Sequence, residues 1–366
     1  MRKKIVLAPL AFLLAISLVA VACAPKEVTP TPPTPTPPTP TPPAPPPEEV
    51  ITWKFQAFPT VADFPYQITV RTAERITTMS GGRLVVEAYP GGAIWPATEE
   101  LYGVDAGMLD MGGACAMYYL DKFPQCGLFN MIAAGPTAIQ MFIWYMHGGG
   151  NELAERLWAP LNVKYVGAAQ YTEEVWALSN RKLETVEDLR GFKMRCAGDG
   201  GEILHSKMGV ATVFFPGGEL YESTARGVID GFEYSSKYVN WPMGFHEVVD
   251  YMYLSPSRQP TDTIHYWVNR DRWNEIGPDL QAIVKHALRS TAFEWWSELV
   301  TLDDEYLQKY IDYGVQVLPL PQVIEDEFLV RAEEWYGEKA AVDPFFREIY
   351  ESLLATRDLC ERQGIR

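Results

Sequence analysis

The residue best suited to chemistry in this chain is an arginine. Across residues 192–196 the apolar Phe192, Met194 and Cys196 alternate with Lys193 and Arg195, the period-two pattern of a half-buried strand. Alternation sets Arg195 on the face opposite the core residues, at the strand's end, where open α/β sheets hold ligands. A guanidinium offers a planar fork of donors that fits a carboxylate and stays charged at any relevant pH. Motifs for catalysis are missing: the chain has no Gly-x-Ser-x-Gly elbow, phosphate loop, dinucleotide fingerprint or His-Glu-x-x-His. His246-Glu247 runs on to Asp250, so the zincin pattern lacks its last ligand. Gly198, Gly200 and Gly201 are too loosely spaced for a nucleotide loop and read as a turn. Asp63, Asp110, Asp230 and Glu233 could pair for glycoside hydrolysis, which keeps a secreted hydrolase as the alternative reading. Carboxylate pairs also arise by chance in a chain this acidic.

The elements that must position Arg195 come next. Residues 184–195 read as a helical turn at 186–189 and then the strand. Residues 214–234 read as a Pro-Gly-Gly turn, a short helix and a strand running into Phe232, Glu233 and Tyr234. An earlier stretch has the same plan. Glu100-Leu101-Tyr102 leads to Gly107 and Asp110, as Glu219-Leu220-Tyr221 leads to Gly227 and Asp230, each after a Gly-Gly turn. Both read as a helix stopped by a C-terminal glycine and followed by a core strand. Two such units predict two α/β lobes of related topology, able to enclose a ligand by closing about a hinge. Further strands are expected at 51–58, 84–89, 161–169 and 263–269, and helices at 64–79, 138–146 and 152–158. A long helix from Pro278 to about Tyr313, with Trp295 and Trp296 midway, would brace both lobes.

Residues 184–195 (ETVEDLRGFKMR) and 214–234 (FFPGGELYESTARGVIDGFEY) resemble the extracytoplasmic solute receptors of tripartite ATP-independent periplasmic (TRAP) transporters. So do 82–94 (GRLVVEAYPGGAI), 106–112 (AGMLDMG) and the triplet Gly148-Gly149-Gly150. The likeness runs from about Trp53 to the C-terminus and is strongest to the branch that binds 2-oxo and other monocarboxylic acids. It implies an α/β, two-lobed, periplasmic-binding-protein-like fold. Lobe I would take residues 51–170 and 258–297, and lobe II 171–257 and 298–366. It also implies a receptor without catalysis that hands a small organic acid to membrane permease subunits. A surface protein serving a sensor instead of a permease is a third reading.

Receptors of this family clamp the solute carboxylate with an arginine in the segment matching Gly191-x-Lys193-x-Arg195. Glu233 raises a difficulty, because a carboxylate ~4 Å from an acid ligand repels it by about 4 kcal/mol at an effective dielectric of ~20. A hard cation with oxygen ligands would remove the conflict. In the similar 2-oxo acid receptors a metal ion bridges protein and solute. The matching positions are the Gln170 side chain, the Glu233 carboxylate and the Tyr234 carbonyl, for sodium or calcium. The resemblance also offers Tyr118 or Tyr119 as a hydroxyl donor from the opposite wall. The chain departs from the family pattern in places. Tyr171-Thr172-Glu173-Glu174 replaces a Gly-Gly-Trp segment, Tyr234 stands where Trp is usual, and residues 255–259 (SPSRQ) replace Pro-Gly-Trp-Trp. Some similar receptors form homodimers by exchanging a C-terminal helix, for which residues 345–360 could serve.

Arg2, Lys3 and Lys4 precede an apolar or small run over 5–22 that ends at Cys23, a secretory leader with a lipoprotein cleavage site. Cys23 would become the lipidated N-terminus; an uncleaved anchor is the alternative. Residues 24–47 form a Thr-Pro tract that can only be an extended polyproline tether, reaching up to roughly 70 Å. The reading is of an extracytoplasmic, lipid-anchored protein. A formal charge of -16 argues against nucleic acid and obliges any anion site to depend on local cations. Besides Cys23 the chain has Cys115, Cys126, Cys196 and Cys360, either two disulfides or four buried thiols. The five histidines are scattered singly, which speaks against zinc.

Overall fold

The computed structural model describes residues 50–61 and 64–365. The leader, Cys23, the tether up to residue 49 and Asp63 lie outside the described residues. Among the described residues eleven strands form two sheets. In chain order they are β1 (Ile51–Ala57), β2 (Leu84–Tyr89), β3 (Met111–Cys115), β4 (Val163–Gln170), β5 (Ala177–Ser179) and β6 (Lys193–Arg195). Then follow β7 (Ala211–Val213), β8 (Gly231–Phe232), β9 (Tyr251–Leu254), β10 (Thr263–Asn269) and β11 (Gln316–Pro319). The first sheet has the order β2-β1-β3-β10-β4 and the second β11-β9-β5-β8-β6-β7.

The two sheets repeat one plan. In the first, β1 pairs in parallel with β2 and β3, and β10 runs antiparallel to both β3 and β4. In the second, β6 pairs in parallel with β7 and β8, and β5 runs antiparallel to both β8 and β9. The motif repeat explains why. Gly107 and Gly227 end their helices at φ +71° and +69°, a left-handed conformation that costs glycine nothing. The aspartate three residues on then clips the neighbouring strand. Lys54 N–H donates to Asp110 Oδ2 at 2.7 Å, and Lys193 N–H donates to Asp230 Oδ2 at 2.9 Å. Each aspartate is also held by an arginine, Arg272 at 2.8 Å and Arg181 at 3.3 Å. Two of the carboxylates considered for hydrolysis are thus structural clips in separate sheets.

Periodicity located most elements. Trp53, Phe55 and Ala57 of β1 are buried while Thr52 and Lys54 are exposed. In β10 all seven residues are buried, where simple alternation promised one wet face. Ile264, Tyr266 and Val268 face one core, and His265 faces an aromatic cage on the other side. Trp158 Nε1 donates to His265 Nδ1 at 3.1 Å, and Tyr145 Oη lies 2.7 Å from Nε2. Burial lowers this imidazole to about 3, so it stays neutral. The long helix spans Pro278–Tyr313 and ends on Gly314. Its first half packs on β4 and on the helix Tyr66–Met79, with Trp295 stacked on Phe64 at 5.5 Å. Tyr310 near its end packs with Phe245 and Met252 of the second sheet's core, so one helix braces both.

The chain crosses between the sheets at residues 171–176 and 255–262. The helix Gln322–Val342 packs on the helix Gly198–Met208. The last helix, Pro344–Arg362, lies against Ala138–His147 and Gly150–Trp158 beside the first sheet. Trp144 donates to Ser352 Oγ at 2.9 Å, and Arg156 pairs with Glu348 at 2.5 Å. This helix therefore docks on its own chain. Cys115, Cys126, Cys196 and Cys360 are buried free thiols, which decides between the two cysteine readings. No helix among the described residues is long and apolar enough to cross a membrane.

Two buried carboxyls make stability depend on pH. Glu100 and Asp199 are each fully buried, and burial pushes each up to about 8. The folded chain holds these protons more tightly than the unfolded chain, whose carboxyls titrate near 4. Stability is therefore highest below that ordinary value and falls as pH rises towards 8, by up to about 1.4 kcal/mol per unit and group. Thermal unfolding from pH 5 to 9 should show the midpoint dropping by several degrees to about pH 8, then levelling. Glu100→Gln should flatten part of that fall; a midpoint rising across the range would refute the assignment.

Candidate functional site

The site is built where β6 ends. Phe192 and Met194 enter the core, which leaves Arg195 on the other face, 2% exposed, where the chain crosses between the sheets. Its Nε donates to the Phe215 carbonyl at 3.1 Å. Its Nη1 donates to the Glu233 carbonyl at 3.0 Å and to Glu233 Oε1 at 2.8 Å. The Phe214 and Tyr234 rings flank the guanidinium at 5.0 and 5.9 Å. Among the described residues Nη2 has no acceptor, so one arm of the fork remains available. Gly217, in the expected Pro-Gly-Gly turn, lies directly against Tyr234: a Cβ there would come within 2.2 Å of its ring.

Arg195 lines a small cavity of about 20 Å³ with Tyr118, Tyr171, Tyr234 and Asp262. That is room for about one water. A crevice of about 550 Å³ adjoins it, with Tyr118 lining both and Ala197 and Phe214 on the far wall. Tyr118 and Phe214, on opposite sides, are 5.9 Å apart. Of the two tyrosines expected here, Tyr118 reaches the cavity and Tyr119 does not. The single helical turn Ala116–Tyr119 points them apart. Tyr119 is buried between Trp158 and Trp267, and its hydroxyl accepts from Leu101 N–H at 3.1 Å.

Tyr171 and Asp262 are additions that sequence reasoning missed as site residues. The Tyr171 hydroxyl is buried without a partner. Asp262 accepts from Asn130 Nδ2 and, at 2.8 Å, from Thr263 N–H. Burial outweighs those bonds and pushes its carboxyl up to about 6. Tyr171→Phe should weaken solute binding by about 1 kcal/mol, roughly fivefold, with thermal stability unchanged or raised. Calorimetric titration beside a melting curve checks both; unaltered affinity would remove Tyr171 from the site.

Glu233 is 1% exposed and fully engaged. Besides Arg195, Ala197 N–H donates to Oε1 at 2.7 Å, and Arg258 Nη1 lies 3.6 Å from Oε2. Arg258 in turn binds Glu174 at 2.7 Å. Burial alone would raise Glu233, but Arg195 and Arg258 together hold it below the usual carboxylate range. Burial and then the Glu233 charge push Glu174 well above that range. The sequence carried one signal for this network. Two departures from the family pattern gained complementary charges, Glu174 in one crossing segment and Arg258 in the other.

The metal set implied by the resemblance does not converge. Gln170 lines a different cavity of about 520 Å³, with Tyr165, Leu288 and Phe293, and neither of its buried amide atoms has a partner. Glu233 already faces two guanidiniums. Among the described residues no three His, Cys, Asp or Glu side chains gather as a metal site. The donors present thus do not fit a hard cation at Glu233.

A family model for bacterial extracellular solute-binding protein, family 7 (DctP), matches residues 61–341. This chain belongs to that family. The earlier resemblance is thereby established, and the TRAP receptors among its solved relatives share the two-lobed α/β architecture. A monocarboxylate 2-oxoacid-binding periplasmic protein of Nostoc is 27% identical over 285 residues, covering 78% of each chain. A TRAP periplasmic solute binding protein of Colwellia psychrerythraea, solved with bound calcium and pyruvate, is 25% identical. It covers 86% of this chain and 96% of its own, with a TM-score of 0.83. A similar protein of Pseudoalteromonas atlantica, with bound sodium and pyruvate, is 23% identical over 86% and 96% of the two chains, TM-score 0.82.

Proposed function

We propose that this DctP-family chain captures a small monocarboxylate, of the 2-oxo or hydroxy acid class, on Arg195 and delivers it unchanged to TRAP permease subunits. The single observation that supports the reading most is a buried guanidinium with one arm free of acceptors, facing a cavity lined from both sheets. An acid group would take that arm, with Tyr118 and Tyr171 as hydroxyl donors from the first lobe's side. Since the cavity holds about one water, a solute of several heavy atoms enters only when the lobes part. Its contacts with both walls then favour the closed form, a shift of population. Lobe I is read as the first sheet with its helices and lobe II as the second.

A hydrolytic reading fares worse on the same residues. Asp110 and Asp230 are strand clips, and Glu233 is locked between arginines, so none of them forms a pair flanking an open substrate site. Isothermal titration against pyruvate and a panel of 2-oxo, hydroxy and unsubstituted acids tests the reading. One solute per chain with Kd of about 1 µM or tighter is expected, without turnover. No heat with any acid, or product formed from one, would overturn it. Mass spectrometry of the membrane-extracted protein would test Cys23 lipidation, and sedimentation would test a helix-exchanged dimer.

A further inference from the structure

Arg258 lies in the crossing segment between β9 and β10 and is fully buried. Its Nη2 donates to Glu174 Oε2 at 2.7 Å and to the Val175 carbonyl at 3.0 Å. Nε donates to the Trp176 carbonyl at 3.3 Å, and Nη1 donates to Gln259 Oε1 at 2.9 Å. Every nitrogen is therefore committed, and the head is fixed against the other crossing segment. Its stem lies over Gly200, where a Cβ would come within 3.3 Å of Arg258 Cγ. Nη1 also stands 3.6 Å from Glu233 Oε2, while Glu233 Oε1 holds Arg195 and Ala197 N–H.

Both oxygens of Glu233 thus face protein donors, and both neighbours are guanidiniums. A calcium ion gathers six to eight oxygens. Here it would have to displace one arginine and sit beside the other in an interior that screens charge poorly. The amide expected to join it lines another cavity.

We infer, building on the acid-capture reading, that Arg258 is a built-in counter-ion for Glu233 that replaces a metal, so that this receptor binds its monocarboxylate without calcium or sodium. With the Glu233 charge divided between two arginines, Arg195 keeps positive charge for the solute. The relatives that carry calcium or sodium with pyruvate would then differ from this chain in what neutralises the site, not in what it captures.

The test uses the whole chain. The purified receptor, dialysed against a chelator in sodium-free choline buffer, is titrated with pyruvate, then again with calcium chloride or sodium chloride restored. Equal affinities within about twofold are expected, the mark of no coupling between metal and acid. A loss of about tenfold or more on chelation overturns the inference. Equilibrium dialysis with calcium alone should show no stoichiometric binding at micromolar concentrations, and one tightly held ion per chain overturns it. Arg258→Met keeps the stem and removes the charge; it should lose pyruvate binding in metal-free buffer, and unchanged affinity overturns the inference. Should that variant fail to fold, the wild-type dialysis still decides. If wild type binds pyruvate in no buffer, the acid reading fails while the calcium dialysis still judges the counter-ion.

Discussion

Replacing Arg195 by alanine is expected to abolish solute binding within the range of a calorimeter. A charge-assisted hydrogen bond to the acid contributes about 1.5–3 kcal/mol. The lost charge also leaves Glu233 facing the incoming carboxylate with one arginine fewer, so a weakening of at least ~100-fold follows. The fold should feel the change as well. Glu233 would keep Arg258 and Ala197 N–H but lose its 2.8 Å partner. Breaking a buried ion pair from one side costs about 3–5 kcal/mol, at the lower end here because a second cation remains. Arg195→Lys keeps a charge without the planar fork, and an intermediate loss on the order of tenfold is expected. Titration with pyruvate, beside urea unfolding of each variant, reads both effects. Wild-type affinity in the alanine variant would remove Arg195 from the site.

The second large effect is on pH. Asp262 shares the cavity with Arg195, and burial holds its carboxyl up to about 6. Other titratable groups surround it. The Cys115 thiol, 3.8 Å from Oδ2, and the Tyr118 and Tyr171 hydroxyls are pushed up by burial and stay neutral. Arg195 and Arg258 hold Glu233 below the usual carboxylate range, while burial and the Glu233 charge push Glu174 well above it. Asp262, at about 6, is the group lining this cavity that changes charge between pH 5 and 8. Below 6 it is neutral and can donate to an acid; above 6 its charge opposes one, so binding must take up a proton. Affinity should fall with rising pH, by up to about tenfold per unit above 6. Asp262→Asn should flatten the profile and bind more tightly than wild type at pH 8. A wild-type profile level from 5 to 8 would sink this account.

Much of the architecture could be read from local signals. Strands such as Thr263–Asn269 and the helix Pro278–Tyr313 are bounded by alternation, proline and glycine, which act within a few residues. The duplicated Gly-x-x-Asp steps were visible as a short repeat because each aspartate serves the strand beside it. Arg195 was legible too, since its chemistry and strand-end position coincide. Gln170 was not. β4 carries an irregularity where Tyr266 pairs with Gly167 but Trp267 pairs with Tyr165. One extra residue turns the strand's faces over, and counting along the chain does not detect it. The Arg258–Glu174 pair was equally hidden. Its partners are 84 positions apart in two irregular crossings, where no periodicity reports on contact.

The four unlinked cysteines have a practical corollary. With every sulfur buried and none bridged, nothing in the described body waits on an oxidant, and reducing agents have no covalent bond there to cut. Maturation of this receptor should proceed equally well in aerated and oxygen-free surroundings. Thiol reagents, excluded from the native interior, would reach these four sulfurs only in molecules that have come undone.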